Sequence, residues 1–329
     1  MVVGGNVTPQ QKAQYRMMFQ ARLSRLIGMA FQNVFSDIMK YANPNFVPVK
    51  PQGSQGDWKN DGHDPKAGRY YQVYSPEIFD EAEAVKKLET DFAGLVAKWG
   101  DKNVYPNGVM EFRFVLNDHY RVTPGGYPTT IAVLEKLKQT HGLEECGLHL
   151  AKDLEEVLMG LPEDQINAVI GFAPNPADIK VLKLDLVNEI VTHIVESAAP
   201  RSLNESLVDP DFDEKIAFNK LRVTGLWLRE ANYRCGTLEE YFSANSDFTR
   251  QEVRNRLKGL YEESAAKNFQ DGGDDATVAD HRLIHILTEI TPSPPNKDRR
   301  FAKELQDAAL VVLAFFFESC DIFEEPTAC

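Results

Sequence analysis

Residues 53–77, which read GSQGDWKNDGHDPKAGRYYQVYSPE, decide the fold of the first half of this chain. The charged part, residues 57–64, holds three carboxylates and a lysine among glycines and turn-forming pairs. Residues 69–74 follow as an aromatic stretch that predicts a β-strand. The first question is therefore whether the charged turn is solvated or builds a site next to that strand.

On both sides of this stretch the pattern alternates between helices and strands. Apolar residues at helical spacing predict one helix over 9–42, which the pair Asn43-Pro44 ends. A short strand is predicted over 46–49 and a loop over 51–68. Beyond the strand at 69–74, the pattern predicts a helix over 75–99, a strand over 109–116, a helix over 129–140 and a strand over 147–151. This order is typical of an α/β domain with a mixed central sheet flanked by helices.

The second half of the chain shows helical periodicity only. Helices are predicted over 184–197, 218–230, 249–267, 277–290 and 301–318. We therefore expect an α/β domain over residues 1–175 and an all-α domain over residues 176–329, in a chain of 329 residues.

Charge and composition limit the classes of function. The net charge is −13, and residues 176–329 carry 28 acidic against 18 basic side chains. This argues against a general nucleic-acid coat, although residues 12–69 hold nine basic against four acidic side chains and could approach a polyanion. No long apolar run or signal-peptide pattern occurs, and the four cysteines are scattered. We expect a cytoplasmic protein with no membrane segment.

The residue spacing in the charged turn allows a metal site. In an extended segment Asp57, Lys59 and Asp61 lie on one face, as do Gln72 and Tyr74 in the following strand. Two carboxylates suit Mg²⁺, and a lysine can orient a water or stabilise phosphate charge. On spacing alone, a polar turn with solvated charges remains the stronger interpretation.

Three motifs together resemble a known family: GMAFQ at 28–32, GDWKNDG at 56–62 and YYQVYSPE at 70–77. They are similar to restriction-endonuclease-like domains of the PD-(D/E)xK superfamily in bacterial anti-phage ABC-three-component systems, which work beside SMC-like or ABC ATPases. The resemblance implies a Mg²⁺- or Mn²⁺-dependent DNA endonuclease. It implies that Asp61 binds the metal, that Gln72 supports it, and that Gln32 and Asp57 complete the shell.

The chain departs from the superfamily at two positions. Gln72 stands where an acidic ligand is expected, and Tyr74 stands where the catalytic lysine is expected. Lys59 is the candidate for the missing ammonium group. Basic residues of the first helix are expected to contact DNA phosphates: Arg16, Arg22 and Arg25.

The helical half resembles the C-terminal domains of the same systems, through residues 212–221, 285–292 and 317–326. Residues 317–326 end an apolar helix with a tail that we expect to be exposed and acidic. The resemblance implies docking onto the ATPase and a small accessory subunit of the same operon, or self-association.

Other interpretations stay open. The first domain could be an inactive nuclease-fold adaptor, and a Lys59 side chain directed to solvent would support that interpretation. Alternatively, the chain could be an unrelated two-domain scaffold. His281 and His285 have a spacing that can bind zinc, but a packed or solvated helix face is the stronger interpretation.

Overall fold

The computed structural model describes most of the chain: residues 7, 9–50, 56–120, 125–174, 182–197, 212–244, 247–266, 275–294, 298–318 and 322–326. The chain divides into two compact units, Met1–Ile170 and Gly171–Cys329. Residues 53–55 and the predicted domain boundary at 175/176 lie outside the described residues.

The first unit is built from six helices and five strands within its described residues. In chain order they are α1 Pro9–Leu23, α2 Gly28–Ala42, β1 Val47–Pro48, β2 Gly62–Asp64, β3 Arg69–Tyr74, α3 Glu81–Trp99, β4 Glu111–Leu116, α4 Pro128–His141, β5 Glu145–Leu150, α5 Ala151–Met159 and α6 Glu163–Ile170.

The strands form one mixed sheet in the order β1-β2-β3-β4-β5. Strands β1, β2 and β3 pair antiparallel, whereas β3, β4 and β5 pair parallel through the crossover helices α3 and α4. The α/β order and the mixed sheet with helices around it are therefore as predicted, and β2 is a strand that the sequence pattern assigned to a loop.

The prediction of a single helix over 9–42 was wrong, because the chain breaks between α1 and α2. Gly28 has a φ of +48°, a conformation that favours glycine. Its N–H donates to the Ser75 carbonyl oxygen at 2.7 Å. The buried amide of Asn117 donates to the carbonyl oxygens of Leu23 and Leu26 at 3.1 and 3.0 Å. Tertiary partners thus satisfy the free helix end, which helical periodicity cannot reveal.

The two faces of the sheet are covered by different helices. On one face Tyr70, Phe112 and Phe114 form a buried core with side chains of α3, including Leu88 and Phe92. On the opposite face α2 packs through Phe35, whose ring lies 5.4 Å from that of Tyr71. Since Gln72 alternates with Tyr71 along β3, Gln72 faces α3.

The second unit contains helices only, within its described residues. They are α7 Leu184–Glu196, α8 Phe212–Phe218, α9 Thr224–Asn232, α10 Gly236–Ala244, α11 Asp247–Ala266, α12 Asp275–Ile290 and α13 Arg299–Glu318. Helix α13 is the centre of the core, since every residue from Ala308 to Phe317 is buried.

One predicted helix of this unit was wrong. The stretch 218–230 contains the end of α8, a turn and most of α9. The carboxylate of Asp280 on α12 accepts hydrogen bonds from the backbone N–H groups of Val223 and Thr224, at 3.1 and 2.9 Å. A side chain distant in sequence therefore caps α9, and the local pattern could not show where that helix begins.

The tail after α13 is exposed at its acidic side chains, since Glu324 is exposed and the Glu325 side chain is 37% exposed, but its apolar residues are not. Ile322 is 1% exposed and Phe323 is 7% exposed. Glu325 pairs with Lys215, whose side chain is fully buried. The segment that follows α13 therefore packs onto the second unit.

Candidate functional site

The charged turn at residues 56–61 is anchored on α3. The indole ring of Trp58 lies 5.8 Å from that of Trp99. The Trp99 Nε1–H donates to the Trp58 carbonyl oxygen at 3.3 Å. Trp58 and Lys59 both have left-handed φ values, +57° and +62°. Such values are uncommon for residues with a Cβ, and fixed packing is needed to hold them.

Asp61 is the centre of the site. It is 3% exposed, and its Oδ2 accepts a 2.6 Å hydrogen bond from the Val73 N–H. The Asp61 N–H in turn donates to the Tyr71 carbonyl oxygen. This extends the β2–β3 register by one residue and places Asp61 opposite Gln72, on the face that α3 covers.

The ionisation of Asp61 is strongly disfavoured. Its pKa is raised to about 7, mainly by burial and also by the charge and hydrogen bonding of Asp57, while the Val73 N–H and the Lys87 ammonium oppose this rise. Asp57, which is partly exposed, therefore lies close enough to the buried Asp61 carboxyl to act on it electrostatically.

Gln72 adds a third oxygen atom that could bind a metal, beside these two carboxylates. It is 4% exposed, and within the part of the chain that the structure describes, its Oε1 has no hydrogen-bond partner. A buried acceptor without a partner is costly, so it calls for an explanation such as a bound ion.

Two ammonium groups meet on one carboxylate next to the site. Asp91 of α3 is 2% exposed, and it binds Lys59 Nζ at 2.8 Å through Oδ1 and Lys87 Nζ at 2.5 Å through Oδ2. The hydrogen bond to Asp91 is the main reason that the pKa of Lys59 is raised. Gly94 makes room for the Lys59 stem, because a Cβ there would lie 3.0 Å from Lys59 Cγ.

The Lys59 side chain is 47% exposed to solvent, and its ammonium is not directed to Asp61 itself. Its ammonium is paired with Asp91, while Asp57 and Asp61 act on it through weaker electrostatic attraction. Lys87 acts on Asp61 in the same way. The site thus holds two cations close to its carboxylate pair, and both are oriented by α3.

Tyr74 lies at the end of β3 and packs against the core. Its ring stacks with that of Phe114 at 5.9 Å, and Lys87 Nζ lies 5.7 Å from its centroid. Burial raises the pKa of the Tyr74 hydroxyl, and the nearby Glu83 and Asp80 raise it further. Tyr74 therefore stays neutral near pH 7 and does not replace a lysine electrostatically.

Gln32 is not brought next to the other candidates. It is partly exposed on α2, and α2 packs against the sheet face opposite to Gln72. Of the predicted set, the structure gathers Asp57, Lys59, Asp61 and Gln72, with Tyr74 at the border.

The basic residues that are predicted to contact phosphates make contacts within the first unit. Arg16 pairs with Glu155 and Glu156 of α5, at 3.2 and 3.1 Å. The Arg22 guanidinium donates to the Val169 carbonyl oxygen, and burial lowers its pKa. Arg25 donates to the Ala21 carbonyl oxygen. These groups link α1 to its own unit, which their sequence pattern does not indicate.

The sequence interpretation missed Lys87 and Asp91. Their i,i+4 spacing in a predicted helix was visible, but such pairs are common on solvated helix faces. Only the docking of the turn on α3 shows that the carboxylate of Asp91 is buried and that both lysines are directed to one place.

The donor set fits a small divalent cation. Asp57 and Asp61 supply carboxylate oxygens and Gln72 supplies an amide oxygen, which are the ligand types that Mg²⁺ accepts alongside water. Within the described ranges, no group of three His, Cys, Asp or Glu side chains could hold a metal. A site at Asp57 and Asp61 would therefore depend on the amide oxygen of Gln72 as well. His281 and His285 are both buried and belong to no such group among the described residues.

None of the described helices is long and apolar enough to cross a bilayer.

Comparison with known proteins identifies part of the chain. Residues 185–324 match the family model of C-terminal domain 10 of the ABC-three component (ABC-3C) systems. This confirms the resemblance of the helical half to the C-terminal domains of these systems. No curated protein and no solved structure matches the chain. The first unit lies outside the match, and its likeness to a restriction endonuclease stays a prediction.

Proposed function

We propose that this chain is the effector of an ABC-3C anti-phage defence system. Its first unit acts as a Mg²⁺-dependent endonuclease with a restriction-endonuclease-like fold, and DNA is its substrate. Its second unit docks onto the SMC-like or ABC ATPase and the accessory subunit of that system. The ABC-3C context of the second unit supports this proposal, and the first unit supplies the candidate chemistry.

One observation carries the catalytic part: the buried Asp61 carboxyl lies beside Asp57 and Gln72, and a bound cation would compensate these oxygen atoms. Asp61 has a pKa raised to about 7 by burial, and the adjacent Gln72 Oε1 has no partner among the described residues. A fold that needed only stability would not bury such a set, because each group costs free energy when it is left uncompensated.

The residues of the site take distinct roles in the proposed reaction. Asp57, Asp61 and Gln72 would hold Mg²⁺, which when bound supplies Lewis-acid polarisation of a phosphate oxygen and a more acidic water. Lys59 and Lys87 stabilise the negative charge that develops on the scissile phosphate. Asp91 fixes both ammonium groups, so that little reorganisation is needed at the moment of reaction.

A second candidate function is a nuclease-fold adaptor without catalysis. Two observations favour it: Tyr74 occupies the place of the superfamily's lysine, and both nearby lysines are neutralised by Asp91 at 2.8 and 2.5 Å. In that case the first unit binds DNA or partner proteins and does not cleave. The alternative predicts binding that is independent of Asp61.

The test is a plasmid-cleavage assay with Mg²⁺ or Mn²⁺, with and without the partner subunits. We expect Asp61→Asn to reduce the cleavage rate by about 100-fold or more, because it removes a metal-binding charge. Lys66→Ala is the matched control, since Lys66 belongs to the β2–β3 turn and not to the site. Undiminished cleavage by Asp61→Asn would refute the site. No cleavage by an assembled wild-type complex would support the adaptor.

A further inference from the structure

In the second unit, a short segment after α13 packs against a surface that five side chains form. We define the segment as Ile322, Phe323, Glu324, Glu325 and Pro326. The surface that it covers is formed by five side chains from α8, the turn after it, α11, α12 and α13: Lys215, Asn219, Tyr261, Arg282 and Phe317. Each of these side chains makes a recorded contact with the segment or with another member of the surface.

The first element of recognition is an aromatic socket. The ring of Phe323 lies 4.7 Å from that of Tyr261 and 5.7 Å from that of Phe317. The Arg282 guanidinium lies 4.0 Å from the centre of the Tyr261 ring and 6.0 Å from that of Phe323. Arg282 is itself fixed by donating to Ser264 Oγ and to the Tyr261 carbonyl oxygen. The socket therefore selects an aromatic side chain.

The second element holds the backbone. Asn219 Nδ2 donates to the Glu324 carbonyl oxygen at 2.7 Å, and Asn219 Oδ1 accepts from the Glu324 N–H at 2.9 Å. One amide side chain thus satisfies both polar groups of one residue, as a neighbouring strand would. This contact fixes the register of the segment without regard to the identity of its side chains.

The third element of recognition binds the acidic side chain that follows, that of Glu325. Lys215 is fully buried, and its Nζ donates to Glu325 Oε1 at 2.5 Å and to the Phe317 carbonyl oxygen at 2.9 Å. Its ammonium also lies 4.9 Å from the centre of the Phe317 ring. A buried ammonium needs an anionic partner, so this position demands a carboxylate.

The backbone of the segment shows that the surface imposes its conformation. Phe323 has a φ of +67°, which is unfavourable for a bulky side chain in an isolated peptide. The aromatic socket, the Asn219 amide and the Lys215 ammonium together hold this conformation.

We propose that this surface is a recognition site for a short aromatic–acidic peptide of the type Ile-Phe-Glu-Glu. The chain's own residues 322–326 are the resident ligand, and the same sequence supplied on a separate molecule binds when the resident segment is weakened. The proposal concerns the second unit alone and does not depend on nuclease activity.

The experiment uses the full-length chain and a fluorescein-labelled synthetic peptide of residues 318–329. The host is the double variant Phe323→Ala/Glu325→Ala, in which the resident segment loses its two side-chain anchors. We expect this host to bind the peptide about tenfold or more tightly than the wild-type chain does, because a tethered resident ligand competes at an effective concentration near the millimolar range.

Matched peptides test each element of recognition. A peptide with Phe323→Ala or Glu325→Gln should lose about tenfold or more in affinity for the same host. A peptide with Glu325→Asp, which keeps the carboxylate, should lose less. Equal binding by all peptides, or equal binding by the wild-type chain and the folded host, would overturn the proposal.

A second measurement covers the case in which the double variant does not fold. Hydrogen exchange of the wild-type chain should show a protected Glu324 amide, and Asn219→Ala in the full-length chain should remove that protection. Exchange of the Glu324 amide in the wild-type chain at the rate of a free peptide would contradict the proposed site.

Discussion

Residues 56–61 in the first unit and residues 322–326 in the second are two short acidic stretches that differ in how their charges are matched. In the C-terminal segment the carboxylate of Glu325 meets the buried ammonium of Lys215 at 2.5 Å. In the turn, Asp57 and Asp61 approach each other, and the nearest cations are paired with Asp91. The matched stretch packs against its own unit, whereas we propose that the mismatched one binds a cation.

This difference predicts opposite signs for the effect of removing a carboxylate on stability. In the segment, the carboxylate compensates a buried charge, so its loss should destabilise the second unit. In the turn, the carboxylate is itself uncompensated, so its loss should stabilise the first unit. Sites that carry function commonly show such a trade-off between stability and activity.

The largest effect is expected at Glu325. Glu325→Ala leaves the fully buried Lys215 ammonium with only the Phe317 carbonyl oxygen, among the contacts described. Since the Glu325 side chain is 37% exposed, water can reach part of the site, and we expect a loss of about 2 kcal/mol in the free energy of unfolding.

Urea denaturation followed by circular dichroism measures this loss. Glu324→Ala is the matched control, because Glu324 is exposed and its side chain accepts only from the Tyr261 hydroxyl among the recorded contacts. Its cost should stay below about 1 kcal/mol. A larger loss in the free energy of unfolding for Glu324→Ala than for Glu325→Ala would contradict the assignment of Glu325 as the carboxylate that compensates the Lys215 ammonium.

An intermediate effect of opposite sign is expected at Asp61 without metal. Burial raises its pKa in the folded state to about 7, above an unfolded value near 3.9. The stabilising effect of the raised pKa is fully present below pH 4 and is lost as the pH rises through 7. At pH 8, Asp61→Asn should therefore be more stable than the wild-type chain, by about 2 kcal/mol.

Thermal unfolding in the presence of a chelator, at pH 8 and at pH 5, checks this prediction. The gain should be smaller at pH 5 than at pH 8 and should approach zero only below about pH 4, where the carboxyl is protonated in the unfolded chain as well as in the folded one. Asp64→Asn is a suitable control, because hydrogen bonds from Asn43 and from backbone N–H groups lower the pKa of Asp64. That substitution should destabilise the chain at pH 8.

The smallest effect on the free energy of unfolding is expected at Gly94, where the Lys59 side chain crosses α3. Gly94→Ala gains helix propensity, but its Cβ would lie 3.0 Å from Lys59 Cγ. We expect the two effects to offset each other within about 0.5 kcal/mol. Gly259→Ala in α11 has nothing within 4 Å of its Cβ, and should stabilise the chain by about 0.5–1 kcal/mol. An equal gain in stability at both positions would show that the Lys59 side chain does not pack against Gly94.

The sequence predicted the elements whose patterns are local and missed the features that depend on tertiary partners. The alternating apolar positions of β3 and β4 and the helical spacing of α3 sufficed for the order of elements around the sheet. The break between α1 and α2 depends on Asn117, and the start of α9 depends on Asp280. Neither partner lies near the segment that it caps.

The candidate site, like the fold, was predictable from the sequence only in part. The expectation of an extended segment over Asp57, Lys59 and Asp61 was wrong, because Trp58 and Lys59 have left-handed φ values. Strand pairing is what places Asp61 opposite Gln72. The place of Lys59 was not predictable, since it depends on the contact of Trp58 with Trp99 and on the space at Gly94. Gln32 lies on the other side of the sheet because the chain breaks before α2.

Titration of the apo chain with Mn²⁺, followed by electron paramagnetic resonance or calorimetry at pH 8, tests the central claim most directly. The account predicts binding by the wild-type chain, a loss in affinity of about tenfold or more for Asp61→Asn and for Gln72→Leu, and unchanged affinity for Asp64→Asn. Equal Mn²⁺ affinity in the wild-type chain and Asp61→Asn would contradict the proposal that the mismatched carboxylates of residues 56–61 are a metal site.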